Sequence, residues 1–333
     1  MLTKKNVISS ILSLCLGFFL VWLILRFTEV DFEQIIATFY SLNPLYAGLA
    51  IATLILHTWL TGYKWKLVTE RITPNNQQSL NFYFLYTTLG SLTMQFMPQY
   101  VGMVMVQNLA LRVHKISSFS RGFLSVIYDQ FFNFLIPFLL FPPAMLYIFG
   151  YISLSVTVFA STTIIILTHF LINKWHRSLI LFLLKAYSWV KQLKPGKAKS
   201  TESELVVNDS SILSKQFTIE LFWISVVRYA VWIIRGVFIA IAGSFKIKLG
   251  AVIFVTPIVQ LAMLLSFTPA NLGLMELSWI GLLRLFNVPN ADAVEFSLMQ
   301  RFLYIVAVMI VLAVFFVVWL VERFSLLATS SKK

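Results

Sequence analysis

Residues 302–321 read FLYIVAVMIVLAVFFVVWLV, an unbroken apolar run without a single charge. A helix needs roughly 20 predominantly apolar residues to cross the hydrocarbon core of a bilayer. Comparable uncharged stretches occupy residues 7–25, 43–63 and 144–172. Because 59% of the 333 residues are apolar and only 12% are charged, the composition excludes a water-soluble domain. The sequence therefore predicts an all-α polytopic membrane protein that forms a single transmembrane domain.

Basic residues indicate how the chain is oriented. Lys and Arg concentrate in the cytoplasmic loops of membrane proteins. Lys4 and Lys5 precede the first apolar stretch, and Lys66 and Arg71 follow the second. The strongest basic region lies within 174–215, where we predict a basic amphipathic helix on the inner surface and then a linker. Both termini are therefore expected in the cytoplasm, in a cell inner (cytoplasmic) membrane, with the net charge of +13 facing anionic headgroups rather than nucleic acid.

Six spanning helices and two re-entrant hairpins account for the apolar stretches. The spans are predicted at 7–25, 43–63, 119–141, 144–172, 216–242 and 293–321. The stretches 81–111 and 250–286 are each too long for one span, so each is predicted to enter the bilayer and return on the same side. A break at membrane depth requires a turn that is buried in protein or lines a wet cavity. The hairpin tips carry helix-breaking or permissive residues: Pro98, Gly102, Pro269, Asn271 and Gly273.

An offset of 171 residues relates the two halves of the chain. It carries the Pro-x-x-x-Gly of the first hairpin onto that of the second, and it carries His57 to Arg228, Lys64 to Arg235 and Gln130 to Arg301. The first repeat is predicted at 1–142 and the second at 144–323, with Pro142-Pro143 as a turn between the third and fourth spans. One hairpin is expected to enter from inside and the other from outside. The pattern predicts an inverted repeat with the substrate site near the midplane.

Charged and polar side chains inside the spans are the candidate functional residues. A charge at the centre of a membrane helix costs about 2.5–3.5 kcal/mol on insertion scales and usually faces a cavity or a partner. The candidate substrate-binding residues are Arg228, Arg235, Arg301, Glu276, Asp129, Gln130 and Lys64. Guanidinium groups match phosphate oxygens, so the arginines would form a cradle for an anionic headgroup. Half-helices beginning at Gly102 and Gly273 would add backbone donors.

Several of these residues admit two interpretations. Asp129 and Glu276 are either proton or cation coupling sites or counter-ions of the arginines, and a buried pair of Asp129 with an arginine would be structural. Lys64 and Arg235 lie close enough to helix ends for their charged groups to extend to the interface. The histidines His57 and His169 are expected to be ordinary polar residues of helix interfaces.

Motifs for other chemistry are absent from the sequence. No Gly-rich phosphate loop, nucleophile elbow or zinc spacing occurs, so neither a metal nor a cofactor is expected. The single cysteine, Cys15, excludes a disulfide within the chain. Two alternatives to transport stay open: an integral-membrane transferase with Asp129 or Glu276 as general base, and a non-catalytic scaffold for envelope-lipid biosynthetic enzymes. The sequence does not indicate the oligomeric state.

Five segments carry a resemblance to a known family. They are 62–67 (GYKWKL), 97–102 (MPQYVG), 126–130 (VIYDQ), 268–276 (TPANLGLME) and 300–301 (QR). Over nearly its whole length the chain resembles the flippase-like transmembrane region of the lysylphosphatidylglycerol synthases, including its stand-alone members. The DedA-type proteins, which also pair re-entrant hairpins, are an alternative family.

The resemblance implies a lipid flippase or scramblase. Its substrate would be a phospholipid, an aminoacylated lipid or a polyprenyl-linked glycolipid. The soluble domain of the synthases has no counterpart in these residues, so we expect no lysine transfer. In the family the first hairpin typically reads Pro-x-Arg-x-Gly-Glu-x-x-Arg, whereas here Tyr100, Met103 and Val106 hold the charged positions. Where the family has an Asp-Arg pair in the third span, this chain has Asp129 and Gln130. Two explanations stay open: substrate contact has shifted toward the second hairpin and Arg228, or the headgroup is less charged.

Overall fold

The structure of the protein is a computed structural model that describes residues 32–73, 78–97, 99–192, 214–264, 268 and 271–330, together with Phe19, Trp22 and Arg26. Within these residues the chain forms α-helices and no strand. The first predicted span, 7–25, lies outside the described residues except for Phe19 and Trp22. Pro98, Pro269 and residues 193–213, which include most of the linker predicted at 194–215, also lie outside them.

Ten helices build the described part of the chain. In chain order they are α1 Phe32–Ser41, α2 Pro44–Ile72, α3 Leu80–Thr93, α4 Gln99–Val113, α5 Phe119–Ile148, α6 Leu154–Gln192, α7 Lys215–Ala242, α8 Leu249–Leu264, α9 Leu274–Arg284 and α10 Asn290–Ser330. Five of them, α2, α5, α6, α7 and α10, contain apolar stretches long enough to cross a bilayer. They correspond to the second to sixth predicted spans, which confirms the all-α polytopic fold class.

Helices α2 and α7 form the centre of the packing. The side chain of Asn43 caps α2 by accepting hydrogen bonds from the backbone N–H groups of Leu45 and Tyr46, and Pro44 occupies the first turn. The backbone N–H of Asn43 in turn donates to the carbonyl of Ala242 at 2.9 Å. The start of α2 therefore lies beside the end of α7, and these two packed helices run antiparallel.

Helix α5 runs through the predicted turn. Pro142 and Pro143 both lie inside it, as does Pro137, and the helix ends only at Ile148. The turn occupies residues 149–153, where Gly150 has a φ of 75° that favours glycine. Prolines are tolerated inside membrane helices because neighbouring helices and local adjustments satisfy the freed carbonyls. The predicted turn at Pro142-Pro143 is thus wrong, and the repeat boundary placed there falls inside a helix.

The two predicted hairpins are pairs of packed helices, α3 with α4 and α8 with α9. Helix α4 begins at Gln99, so Gly102 lies in its first turn and not at its start. A Cβ atom at Gly102 would lie 3.1 Å from the backbone nitrogen of Met94, so glycine permits the close approach of α4 to the end of α3. Gly273 directly precedes α9 with a φ of 84°. The re-entrant course of both pairs through a bilayer stays a prediction.

Helices of the two halves have matching ends. Shifted by 171 residues, α2 would run from 215 to 243, and α7 runs from Lys215 to Ala242. The same shift moves the start of α5 to residue 290, where α10 begins, and moves the ends of α3 and α4 to 264 and 284, where α8 and α9 end. The described chain therefore consists of two comparable units, α2–α5 and α7–α10. Helix α6 lies between them in sequence and deviates from helical geometry at Trp175, near the end of its apolar part.

Apolar side chains fill the space between the helices and also cover the outside. Buried clusters join α2, α5 and α7 on one side and α7, α8, α9 and α10 on the other. Large apolar side chains of α10 remain exposed, including Val314, Phe316, Val317 and Trp319. An exposed apolar belt on a helix of this length suits contact with lipid chains.

Candidate functional site

A cavity of about 130 Å³ lies where the two units meet. It receives side chains from both hairpins and from the four long helices α2, α5, α7 and α10. Its walls are His57, Thr58, Thr61, Thr87, Ser91, Met94, Gln95, Met103, Gln130, Asn133, Arg228, Trp232, Arg235, Met263, Asn271, Met275, Gln300, Arg301 and Tyr304. About 10–15 Å³ of such cavity space is enough for one water molecule, so the cavity has room for a small polar group.

Arg228 and His57 meet at the mid-length of the antiparallel helices α7 and α2. The guanidinium NH1 of Arg228 lies 2.7 Å from Nε2 of His57. A guanidinium group can only donate, so Nε2 accepts this hydrogen bond and carries no proton. The imidazole also lies against Trp232, with 4.9 Å between ring centroids. His57 therefore lies at the interface of α2 and α7, as expected, and is also part of the cavity wall.

Arg235 lies about two turns further along the same face of α7 and is buried. Its NH2 group donates to Oε1 of Gln300 at 2.5 Å, and its guanidinium carbon lies 3.6 Å from the ring centroid of Trp232. Stacking on an aromatic face leaves the N–H groups at the guanidinium edge available for in-plane hydrogen bonds. The expectation that Arg235 extends to a membrane interface is wrong, because only 3% of the residue is exposed and it lines the cavity.

Arg301 is held by Glu276 at the second hairpin. Its Nε and NH2 groups both donate to Oε1 of Glu276, at 2.9 and 2.7 Å. The other carboxylate oxygen, Oε2, accepts the backbone N–H of Gly273 at 2.8 Å. Glu276 is thus a counter-ion of an arginine, and it also occupies the backbone donor of Gly273 that we expected to be available to a ligand. That expectation is wrong because a carboxylate in the first turn of α9 caps the helix start.

Lys64 and Asp129 form a pair behind the cavity wall. Both side chains are fully buried, and Nζ of Lys64 lies 3.3 Å from Oδ1 of Asp129. The ammonium group also donates to the backbone carbonyl of Asp129 and to Oγ of Ser225, each at 3.0 Å, and to Oδ1 of Asn133. Lys64 therefore does not extend to an interface, contrary to expectation. Asp129 has a buried structural partner, and this partner is a lysine rather than an arginine.

The polar cluster around the cavity has more positive than negative charge. Among the described residues it contains four cationic side chains, Lys64, Arg228, Arg235 and Arg301, and two carboxylates, Asp129 and Glu276. The excess cations lie away from bulk water, where electrostatic attraction to an anion is strong. No group of His, Cys, Asp and Glu within the described ranges could hold a metal ion. The arrangement is suited to binding an anionic group.

The cavity contains most of the predicted arginine cradle and several polar residues that the sequence reasoning missed. Five predicted residues line it: Gln130, Arg228, Arg235, Asn271 and Arg301. The missed polar residues include His57, Gln95, Asn133, Gln300 and Tyr304. The 171-residue offset could have found His57, because it relates His57 to Arg228 and these residues are in contact.

The sequence of the chain matches the family described as the lysylphosphatidylglycerol synthase TM region over residues 8–326. The chain belongs to this family. The match confirms the resemblance and decides for this family over the DedA-type alternative. Membership and the apolar helices together make the chain a multi-pass membrane protein of a family associated with lipid biosynthesis. No curated protein matches this family member.

Proposed function

We propose that the protein binds the phosphate-bearing headgroup of a membrane lipid in the central cavity and moves it between the leaflets of the cytoplasmic membrane. The observation that carries this proposal is the cavity itself, with three arginines converging on it from α7 and α10. Guanidinium groups form charge-assisted hydrogen bonds to phosphate oxygens, often two at a time. Phospholipids and lipid-linked glycans share this phosphate, while the exposed apolar helices leave the acyl chains in contact with the bilayer.

The antiparallel packing of α2 and α7 supports an inverted repeat. These helices are equivalent under the 171-residue offset, and they run in opposite directions with His57 and Arg228 touching at mid-length. A two-fold axis in the membrane plane relates equivalent helices in this way, whereas an axis along the membrane normal would leave them parallel. In transporters with such repeats the substrate lies at the repeat interface, and alternating movement of the halves exposes it to each side.

The two carboxylates that a transferase would use as general base are both engaged. Asp129 is paired with Lys64, and Glu276 holds Arg301 and the start of α9. Neither carboxylate lines the cavity. These contacts favour binding and movement of a headgroup over group transfer at this site.

Translocation of a labelled phospholipid in proteoliposomes tests the proposal. The variant Arg228→Gln should reduce the rate at least about tenfold, because a charge-assisted hydrogen bond contributes about 1.5–3 kcal/mol. The matched control is Lys66→Gln, which removes a cation that lies outside the cavity in a surface pair with Glu70. Wild-type rates in Arg228→Gln would refute the assignment of the cavity as the headgroup site, and absence of translocation by the wild type would refute the transport function.

A further inference from the structure

Two buried cations occupy equivalent positions in the two halves of the chain, with equivalently placed partners. Lys64 on α2 and Arg235 on α7 are related by the 171-residue offset, and so are their partners Asp129 on α5 and Gln300 on α10. Each cation contacts a residue 65 positions further along the chain. The same architecture therefore appears twice, but with a carboxylate in the first unit and a neutral amide in the second.

The pair of Lys64 and Asp129 is not accessible from the cavity. Lys64 and Asp129 are both fully buried, and the ammonium group contacts four oxygen atoms of Asp129, Asn133 and Ser225. Neither Lys64 nor Asp129 lines the cavity. The three N–H groups of the Lys64 ammonium all donate to the protein, and its charge faces the Asp129 carboxylate at 3.3 Å, so this cation has little to offer a ligand.

The pair of Arg235 and Gln300 is accessible from the cavity. Arg235 and Gln300 are 3% and 2% exposed, and both line the cavity. No carboxylate of the described residues forms an ion pair with Arg235. The buried Nε of Arg235 and Nε2 of Gln300 each have a donor without a hydrogen-bond partner. Buried donors and buried charges are normally satisfied, so this arrangement indicates a site that a ligand completes.

We infer that an anionic phosphate oxygen of the ligand binds between Arg235 and Gln300. This oxygen neutralises Arg235 in the same way as the Asp129 carboxylate neutralises Lys64. The inference rests on the proposed function and deepens it by giving the anion a position within the cavity. Trp232 covers one face of the guanidinium group, so the phosphate approaches its edge, where the unsatisfied Nε–H lies. The amide of Gln300 adds a further donor. Because the first unit supplies its own carboxylate, the cavity has one such anion site and not two.

The variant Gln300→Glu tests this site by supplying the missing carboxylate. The glutamate has the shape of the glutamine and can still accept the hydrogen bond from Arg235. We expect it to neutralise Arg235 as Asp129 neutralises Lys64, so the ligand-free variant should unfold at a temperature at or above that of the wild type. Its affinity for phosphate probes should fall at least about tenfold. The matched control is Gln95→Glu, which adds the same charge to another wall of the cavity and should weaken binding much less.

Binding is measured calorimetrically on purified protein in a phosphate-free detergent, with a short-chain phosphatidylglycerol and inorganic phosphate as separate probes. A Gln300→Glu-sensitive affinity for the phosphatidylglycerol identifies a lipid headgroup as the ligand. If only inorganic phosphate binds in this Gln300-dependent way, the result supports the anion site but overturns the assignment of a lipid headgroup as its ligand.

Two further outcomes separate this inference from the proposed function. Equal losses in Gln300→Glu and Gln95→Glu, or a folded Gln300→Glu that binds like the wild type, would overturn the Arg235 site. Neither result would affect the proposed function if Arg228→Gln still reduces translocation. If the wild type binds neither probe the inference is overturned, and the translocation assay then decides the proposed function independently.

Discussion

The two helical hairpins lie at equivalent places in the two units but are held there by different interactions. At the second hairpin, Glu276 binds Arg301 on α10 and the backbone of Gly273. The equivalent positions at the first hairpin are Met105 and Gln130, which cannot form an ion pair. The first hairpin is held instead by close backbone packing at Gly102 and by the buried Met103. One hairpin is therefore fastened to α10 by a buried ion pair, whereas the other is held by backbone and apolar packing and by hydrogen bonds between neutral side chains such as Gln107 and Thr87.

The largest expected effect is the loss of the ion pair at the second hairpin. Replacing Arg301 by Ala leaves the carboxylate of Glu276 buried without its counter-ion, so we expect the free energy of unfolding to fall by about 3 kcal/mol. The measurement is unfolding in mixed detergent micelles, followed by the fluorescence of the nine tryptophans. The equivalent substitution in the first unit, Gln130→Ala, should cost less than about 1 kcal/mol. Equal costs at the two positions would remove the contrast between the hairpins.

A smaller loss is expected when the apolar contact of the first hairpin is reduced. Met103 is buried against Gly90 of α3, so Met103→Ala removes packed volume and should cost about 2 kcal/mol. Met105 on the same helix is exposed, and Met105→Ala should change the free energy of unfolding by less than about 0.5 kcal/mol. The same unfolding assay compares the two variants. A cost at Met105 as large as that at Met103 would contradict apolar packing as the fastening of this hairpin.

The smallest effects concern the glycines of the two hairpins. Gly273 has a positive φ with a ψ of −44°, so Gly273→Ala should cost at least about 1 kcal/mol through backbone strain. Gly102 has no such conformation, and in Gly102→Ala the helix-propensity gain of about 1 kcal/mol opposes the crowding of Met94. We expect the second substitution to be nearly neutral. A clear destabilisation by Gly102→Ala would show that the close approach of α3 and α4 dominates over propensity.

The spans could be predicted from the sequence because hydropathy and length are local properties. The error at Pro142-Pro143 has a physical reason, since a proline that would end a helix in water is tolerated where other helices surround it. The arginine cradle followed from the cost of isolated charges in a membrane. The partners of the charges could not be predicted in the same way. Sequence position gave no indication that Lys64 is buried against Asp129, because this contact depends on the packing of α2 against α5.

The burial of Arg235 could not be predicted from its position in the sequence either. Its distance from the end of α7 permits its charged group to reach an interface, and only the packing of Trp232 and Gln300 around it shows that it does not. The 171-residue offset was a better guide to contacts at the cavity than the distance of a residue from a helix end. It related His57 to Arg228, and these two residues contact each other.

Pro137 removes one backbone hydrogen bond from α5 beside the cavity. Proline has no backbone N–H, so the carbonyl of Asn133, four residues earlier, lacks its usual helical donor. The side chain of Asn133 lines the cavity and accepts a hydrogen bond from Lys64. Bending α5 at this level breaks no hydrogen bond between residues 133 and 137, because none exists there. A bend of α5 beside the cavity would thus break one backbone hydrogen bond fewer than the same bend in a helix without proline.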